Sequence, residues 1–139
     1  MSKSTHRTLS RALWTAQAFT ALLFLFAGSM KFIMPPEKMQ QGSIIFSITF
    51  IHFIGVCECL GAVGLLLPGI TRVQTWLTPL AAVGLTIIMI GATTVTILGM
   101  GIAPAIFPAV VGIITTWIAY GRTRIAPLAD APRHVLRTA

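Results

Sequence analysis

The chain has 139 residues, of which 55% are apolar and only 9% charged, and it carries a net charge of +7. An ordinary soluble domain has about 25% charged residues, and a chain this short has too little interior to hide so much apolar surface, so a water-soluble globular domain is excluded. The positive charge does not point to nucleic acid either, because the lysines and arginines flank apolar runs instead of interleaving with base-stacking aromatics.

Residues 1–9 form a polar, basic N-terminal tail. The first apolar run spans about 13–33 and is long enough to cross a bilayer. Ala27-Gly28-Ser29 imitates a signal-peptide cleavage site, but the apolar run continues past it, so the segment reads as a retained span. Pro35-Pro36 ends the predicted helix. Residues 37–45 are mixed in polarity and fit a loop or a short interfacial helix. The second span is expected over about 46–67, stopped by Pro68-Gly69. The third, about 73–98, exceeds the bilayer's need, which implies tilt or a protruding end, and Pro79 is expected to kink it near its start. A tight turn at Gly99-Met100-Gly101 leads to the fourth span, about 102–120, and residues 122–139 form a basic, largely irregular tail.

The fold expected is therefore all-α: one four-transmembrane-helix bundle over residues 10–121, an integral membrane protein. Four spans place both termini on one side. That side collects Lys3, Arg7, Arg11, Arg72, Arg122, Arg124, Arg133 and Arg137, whereas Lys31 and Lys38 fall on the other, so both termini are expected in the cytoplasm. Trp14, Trp76, Trp117 and Tyr120 at the same ends of their spans agree with interfacial anchoring.

One residue breaks the apolar pattern. Glu58 sits in the otherwise uncharged stretch from Phe53 to Leu67, and an ionisable side chain at membrane depth is costly enough to be a functional-site hypothesis by default. Helices in lipid associate by close backbone packing at small residues. Gly55, Glu58 and Ala62 share one face of the second helix, with Gly61 and Gly64 beside them; Gly84 and Gly91 on the third and Ala105, Ala109 and Gly112 on the fourth continue the pattern. Glu58 should thus look into the bundle, where the bland alternative to function is a neutral acid bonding one helix to another.

Lys31 is the obvious counter-ion. Counted from the expected span ends at about 1.5 Å per residue, however, the two lie more than about 10 Å apart along the membrane normal, so a direct pair is not expected. Lys31 alone reads as an anchor snorkelling to the outer interface. His52, closer to that level, would join it at the outer mouth with Glu58 below. Thr93, Thr94 and Thr96 add hydroxyls to the third span, although threonine readily returns its bond to its own helix. Cys57 and Cys59 point about 200° apart on a helix and suit inert packing better than a disulfide. No metal-ligand spacing and no nucleophile–base or paired-carboxylate set is visible in the sequence.

Several motifs together resemble those of DoxX-like membrane proteins. Phe26-Ala27-Gly28-Ser29-Met30-Lys31-Phe32 is similar to the end of that family's first helix, and Glu58-Cys59-Leu60-Gly61-Ala62-Val63-Gly64-Leu65-Leu66-Leu67-Pro68 to its second. Met89-Ile90-Gly91-Ala92 resembles its third helix, and Pro108 with Tyr120-Gly121-Arg122 its fourth. The resemblance covers about residues 10–122. It implies a four-span bundle in a bacterial inner membrane and marks Gly28, Lys31, Glu58 and Gly61 as positions to watch. Many relatives carry a histidine about where Thr96 stands here, which weakens any role needing an imidazole there. The family's branches include a subunit tied to thiosulfate:quinone oxidoreductase, membrane oxidative-stress components and receptor-assembly chaperones.

The functional expectation is a membrane component of a redox or oxidative-stress system that binds a quinone or other small lipophilic molecule within the bundle near Glu58. The expected ligand-binding residues are Glu58, Lys31, His52, Gly28, Gly55, Gly61, Thr94 and Thr96. No intrinsic cofactor and no metal are expected, and the chain is at most a subunit of a quinone-linked oxidoreductase. The partners expected are the lipid bilayer and a redox protein or a second copy of the chain. The alternative is an assembly factor or interaction subunit without catalysis, and the third choice a small proton-coupled transporter.

Overall fold

The computed structural model of the chain describes residues 3–39 and 44–130, and among these it is all-helical with no strand. Residues 40–43 of the expected interfacial stretch, and Arg133, His134 and Arg137 of the basic tail, lie outside the described residues. Among the described residues, four helices are long and apolar enough to cross a membrane.

Helix α1 runs over Lys3–Ile33, so the basic N-terminal segment continues the span as helix instead of forming a separate tail. It ends ahead of Pro35, whose ring disfavours helical geometry in the residue before it. Pro36 then opens the single-turn α2, Pro36–Met39, at the position where a missing N–H costs nothing. Helix α3, Ile48–Thr71, is capped by Ser47, whose hydroxyl accepts the Phe50 N–H at 3.3 Å. The helix does not stop at Pro68-Gly69; it passes through them and ends on Arg72, at φ 55°. Proline within a membrane helix is tolerated where neighbouring groups meet the disturbed backbone. Pro68 lacks the N–H that would bond the Gly64 carbonyl, and the Gln17 amide of α1 donates to the next carbonyl, that of Leu65 on α3, at 2.6 Å.

Helix α4 spans Leu77–Met100 and α5 spans Ile102–Tyr120. Because α4 begins at Leu77, Pro79 falls in its first turn, where backbone N–H groups have no intrahelical partner, and no bond is lost there. Gly101 alone joins the two helices, at φ 96°, a conformation open to glycine and strained for other residues. The last helix continues past Tyr120 as a π-helical turn, Gly121–Ile125, where an irregular tail was expected.

Sequence neighbours are spatial neighbours: α1 packs on α3, α3 on α4, and α4 on α5. The interior contains Phe24, Ala62, Leu65, Leu85, Met89 and Ile118, while Phe19, Leu22, Phe26, Ile87, Leu98 and Ile113 point outward. Outward phenylalanine, leucine and isoleucine on all four long helices is what a lipid solvent permits. The expected small-residue faces divide. Gly55, Ala62 and Ala105 are buried, whereas Gly84 and Gly91 are exposed, with nothing within 4 Å of an added Cβ. The heptad pair on α4 therefore does not pack inside the bundle.

Candidate functional site

The site begins with a close approach of two backbones. A Cβ on Gly28 of α1 would lie 2.8 Å from the Gly55 carbonyl oxygen and 2.7 Å from Cys59 Sγ of α3. A Cβ on Gly55 would lie 3.1 Å from the Gly28 carbonyl oxygen and 3.2 Å from Lys31 Cβ. Neither position has room for a side chain, so the two glycines set how near α1 and α3 come and at what relative height.

That height brings together the two residues the depth count had kept apart. Lys31 Nζ and Glu58 Oε2 form a salt bridge at 2.6 Å. Two physical reasons account for it. First, Gly28 packs between Gly55 and Cys59 of the antiparallel helix, which places Lys31 and Glu58 only about four residues, or about 6 Å, apart in height. Second, side chains on a helix lean toward its N-terminus. Helices α1 and α3 run antiparallel, so Lys31 leans into the membrane while Glu58 leans out toward it. The lysine follows its own helix downward, its Nζ also reaching the Ala27 carbonyl at 3.5 Å. It is an internal ion-pair partner, not an anchor snorkelling outward.

The two members of the pair differ in access. The Glu58 side chain is 4% exposed and the Lys31 side chain 26%. Lys31 faces a cavity of about 420 Å³, bounded by the end of α1, by α2, by the start of α3 and by the end of α4; Lys38, Met39, Ile54, Thr96 and Met100 also line it. A second, more apolar cavity of about 350 Å³ shares Lys31, Met34 and Met39 with the first and extends along α1 to Phe26 and to Phe107 of α5. Lys31, with Lys38 and Thr96, supplies the polar surface of the site, and Glu58 is the buried charge beneath Lys31. A cation standing over its own counter-ion can present N–H donors to a ligand oxygen without bringing an uncompensated charge into the membrane.

The remaining expected residues scatter. His52 stacks on Phe32 with ring centroids 5.0 Å apart, and it does not line either cavity. Gly61 lies lower on α3, where an added Cβ would be 2.6 Å from Leu85. Thr94 is exposed and bonds the Ile90 carbonyl of its own helix at 2.8 Å, beside an outward groove between α4 and α5. Thr93 likewise bonds the Met89 carbonyl at 2.7 Å. Of the threonines singled out, Thr96 reaches the cavity. Cys57 and Cys59 are free thiols, and Cys59 packs against Gly28. Among the described residues no group of three or more His, Cys, Asp or Glu side chains is placed to hold a metal.

A second polar centre lies at the basic end of the bundle. Gln17 and Arg122 are both buried. Arg122 Nε donates to Gln17 Oε1 at 2.5 Å, Nη1 donates to the Ala126 carbonyl at 3.2 Å, and the guanidinium lies 5.3 Å from the Trp14 ring centroid. Arg122 is one of the basic residues that flank the apolar runs in the sequence. Its signal in the sequence was indirect: Gln17 is a lone amide within the first apolar run, and an amide at that depth needs a partner. None of the cavities described includes either residue.

The family model described as the DoxX-like family matches residues 15–118, well over half of the chain, and the chain belongs to that family. No curated protein and no solved structure matches it.

Proposed function

We propose that this DoxX-like membrane protein binds a quinone or a similar small lipophilic molecule in the paired cavities beside Lys31, as a component of a redox or oxidative-stress system of the bacterial inner membrane, with both termini in the cytoplasm. One observation carries the reading: an ammonium neutralised from below by Glu58 at 2.6 Å, yet open to a cavity of about 420 Å³. Binding pockets are mostly apolar with a few placed polar groups and occupy roughly 300–1,000 Å³, and this one fits that description. Lys31 donates to a carbonyl-type oxygen of the ligand; Glu58 holds Lys31 in place and keeps the site neutral overall. The electron carrier is the ligand or a partner protein.

The test is direct titration of decylubiquinone into the full-length protein in lipid nanodiscs, beside the Lys31→Met/Glu58→Gln double variant, which removes both charges and leaves none stranded. Binding to the parent chain and its loss in the double variant support the reading. If the parent chain binds no quinone, the quinone form of the proposal falls.

A second reading, an assembly factor or interaction subunit, has one specific observation in its favour. Gly84 and Gly91 leave a bare strip on the outward side of α4 where another helix can approach closely. Solubilisation from native membranes under mild detergent tests it, and a protein that always emerges alone counts against it.

A further inference from the structure

The charge lining the site has a sign, and that sign narrows the ligand. The chain has three acids. Glu58 lies beneath the lysine, Asp130 is at the other end of the bundle bound to the Thr75 N–H at 2.9 Å, and Glu37 does not line the cavity. The cavity beside Lys31 is lined by two lysines and no carboxylate. Of these two, Lys31 is neutralised by Glu58, while Lys38 has no ion-pair partner among the described residues. The site therefore carries one ammonium in excess, at the mouth.

Shape adds a second constraint. The cavity with the two lysines and the apolar one running to Leu23, Phe26 and Phe107 meet at Lys31, Met34 and Met39. One space is suited to a charged head and the other to a single chain lying along α1. Methionine suits such a lining because its unbranched thioether adapts to irregular apolar contours.

We infer that the natural ligand is a single-chain amphiphile with a negatively charged head, the head meeting Lys38 and Lys31 and the chain lying toward Phe26 and Phe107. This rests on the cavity being a binding site, as proposed above, and adds the charge and shape of what it takes. A fatty-acid carboxylate and an ionised alkyl-hydroxyquinone share this chemistry.

Two matched pairs separate these sources and isolate the charge. The full-length protein in nanodiscs of zwitterionic lipid is titrated with laurate against methyl laurate, and with 2-hydroxy-3-undecyl-1,4-naphthoquinone against its 2-methoxy ether. In at least one pair the anionic member is expected to bind about tenfold more tightly or better, as one charge-assisted hydrogen bond would give. The pair showing the larger ratio identifies the source. Lys38→Gln, an exposed change on a single-turn helix, is expected to cut that ratio by about tenfold, and Lys38→Arg is expected to keep it. Equal binding of charged and neutral members in both pairs overturns the charge inference while leaving the cavity a binding site. An anionic preference unchanged in Lys38→Gln overturns it as well. If none of the four compounds binds, the inference and the reading of the cavity fall together.

Discussion

Two cations at opposite ends of the bundle, the half-buried Lys31 and the buried Arg122, are built differently. Lys31 has a carboxylate partner and a cavity. Arg122 has an amide, a carbonyl and an indole ring, forms no ion pair with a carboxylate among the described residues, and lines none of the cavities described. A guanidinium suits the closed site because its planar fork engages several fixed acceptors and stacks on an aromatic face. A lysine suits the open one because a compact ammonium on a flexible stem can satisfy its counter-ion and still turn a donor to a ligand. The Arg122 centre reads as a fastening: it ties the turn after α5 to α1, and through Gln17 to α3 beside Pro68. The Lys31 centre reads as a working surface.

The largest effect comes from breaking the compensated pair on one side only. Glu58→Leu leaves an ammonium without its counter-ion at membrane depth and is expected to cost about 3 kcal/mol, read from unfolding in mixed micelles with increasing SDS. The double variant Lys31→Met/Glu58→Leu should recover most of that loss, since replacing both charges by apolar groups is often close to neutral. A Glu58→Leu protein as stable as the parent would show that the pair contributes nothing.

Closing in on the same pair through the backbone should cost somewhat less. Gly28→Ala puts a methyl group 2.8 Å from a carbonyl oxygen of the facing helix, and is expected to destabilise by about 1–3 kcal/mol while weakening ligand binding. Gly91→Ala, made where nothing lies within 4 Å, is its control. It should be stabilising by up to about 1 kcal/mol through helix propensity.

The Arg122 end gives the discriminating case. Arg122→Met strands the Gln17 carbonyl oxygen and is expected to cost about 1–3 kcal/mol, yet leave ligand affinity at the far end unchanged. Arg122→Lys should not restore the loss, because lysine cannot meet both acceptors and stack on Trp14. A matched loss of affinity would mean that the two ends are coupled. The smallest effect is expected from Thr94→Val, within about 0.5 kcal/mol and without change in binding, because that hydroxyl serves only its own helix on an exposed face.

Much was legible from the chain alone, for a simple reason. Lipid as solvent demands long apolar helices with internally bonded backbones, and such helices are written directly in local composition. The four spans, the inward face of Glu58 with Gly55 and Ala62, and the self-bonded threonines all follow from sequence neighbours a few residues apart. What local pattern could not supply was the relative height of one helix against the next. Lys31 and Glu58 looked too far apart when measured from span ends, since the Gly28–Gly55 approach that sets their level is a contact between residues 27 positions apart in the chain. The same holds for Pro68, a terminus by local pattern but passed through beside the Gln17 amide, and for Arg122, a flanking cation in the sequence whose surroundings are Gln17 and Trp14, more than a hundred positions away. Composition chose the solvent and the helices; the lean of antiparallel side chains and two glycines without room for a Cβ chose which charges meet.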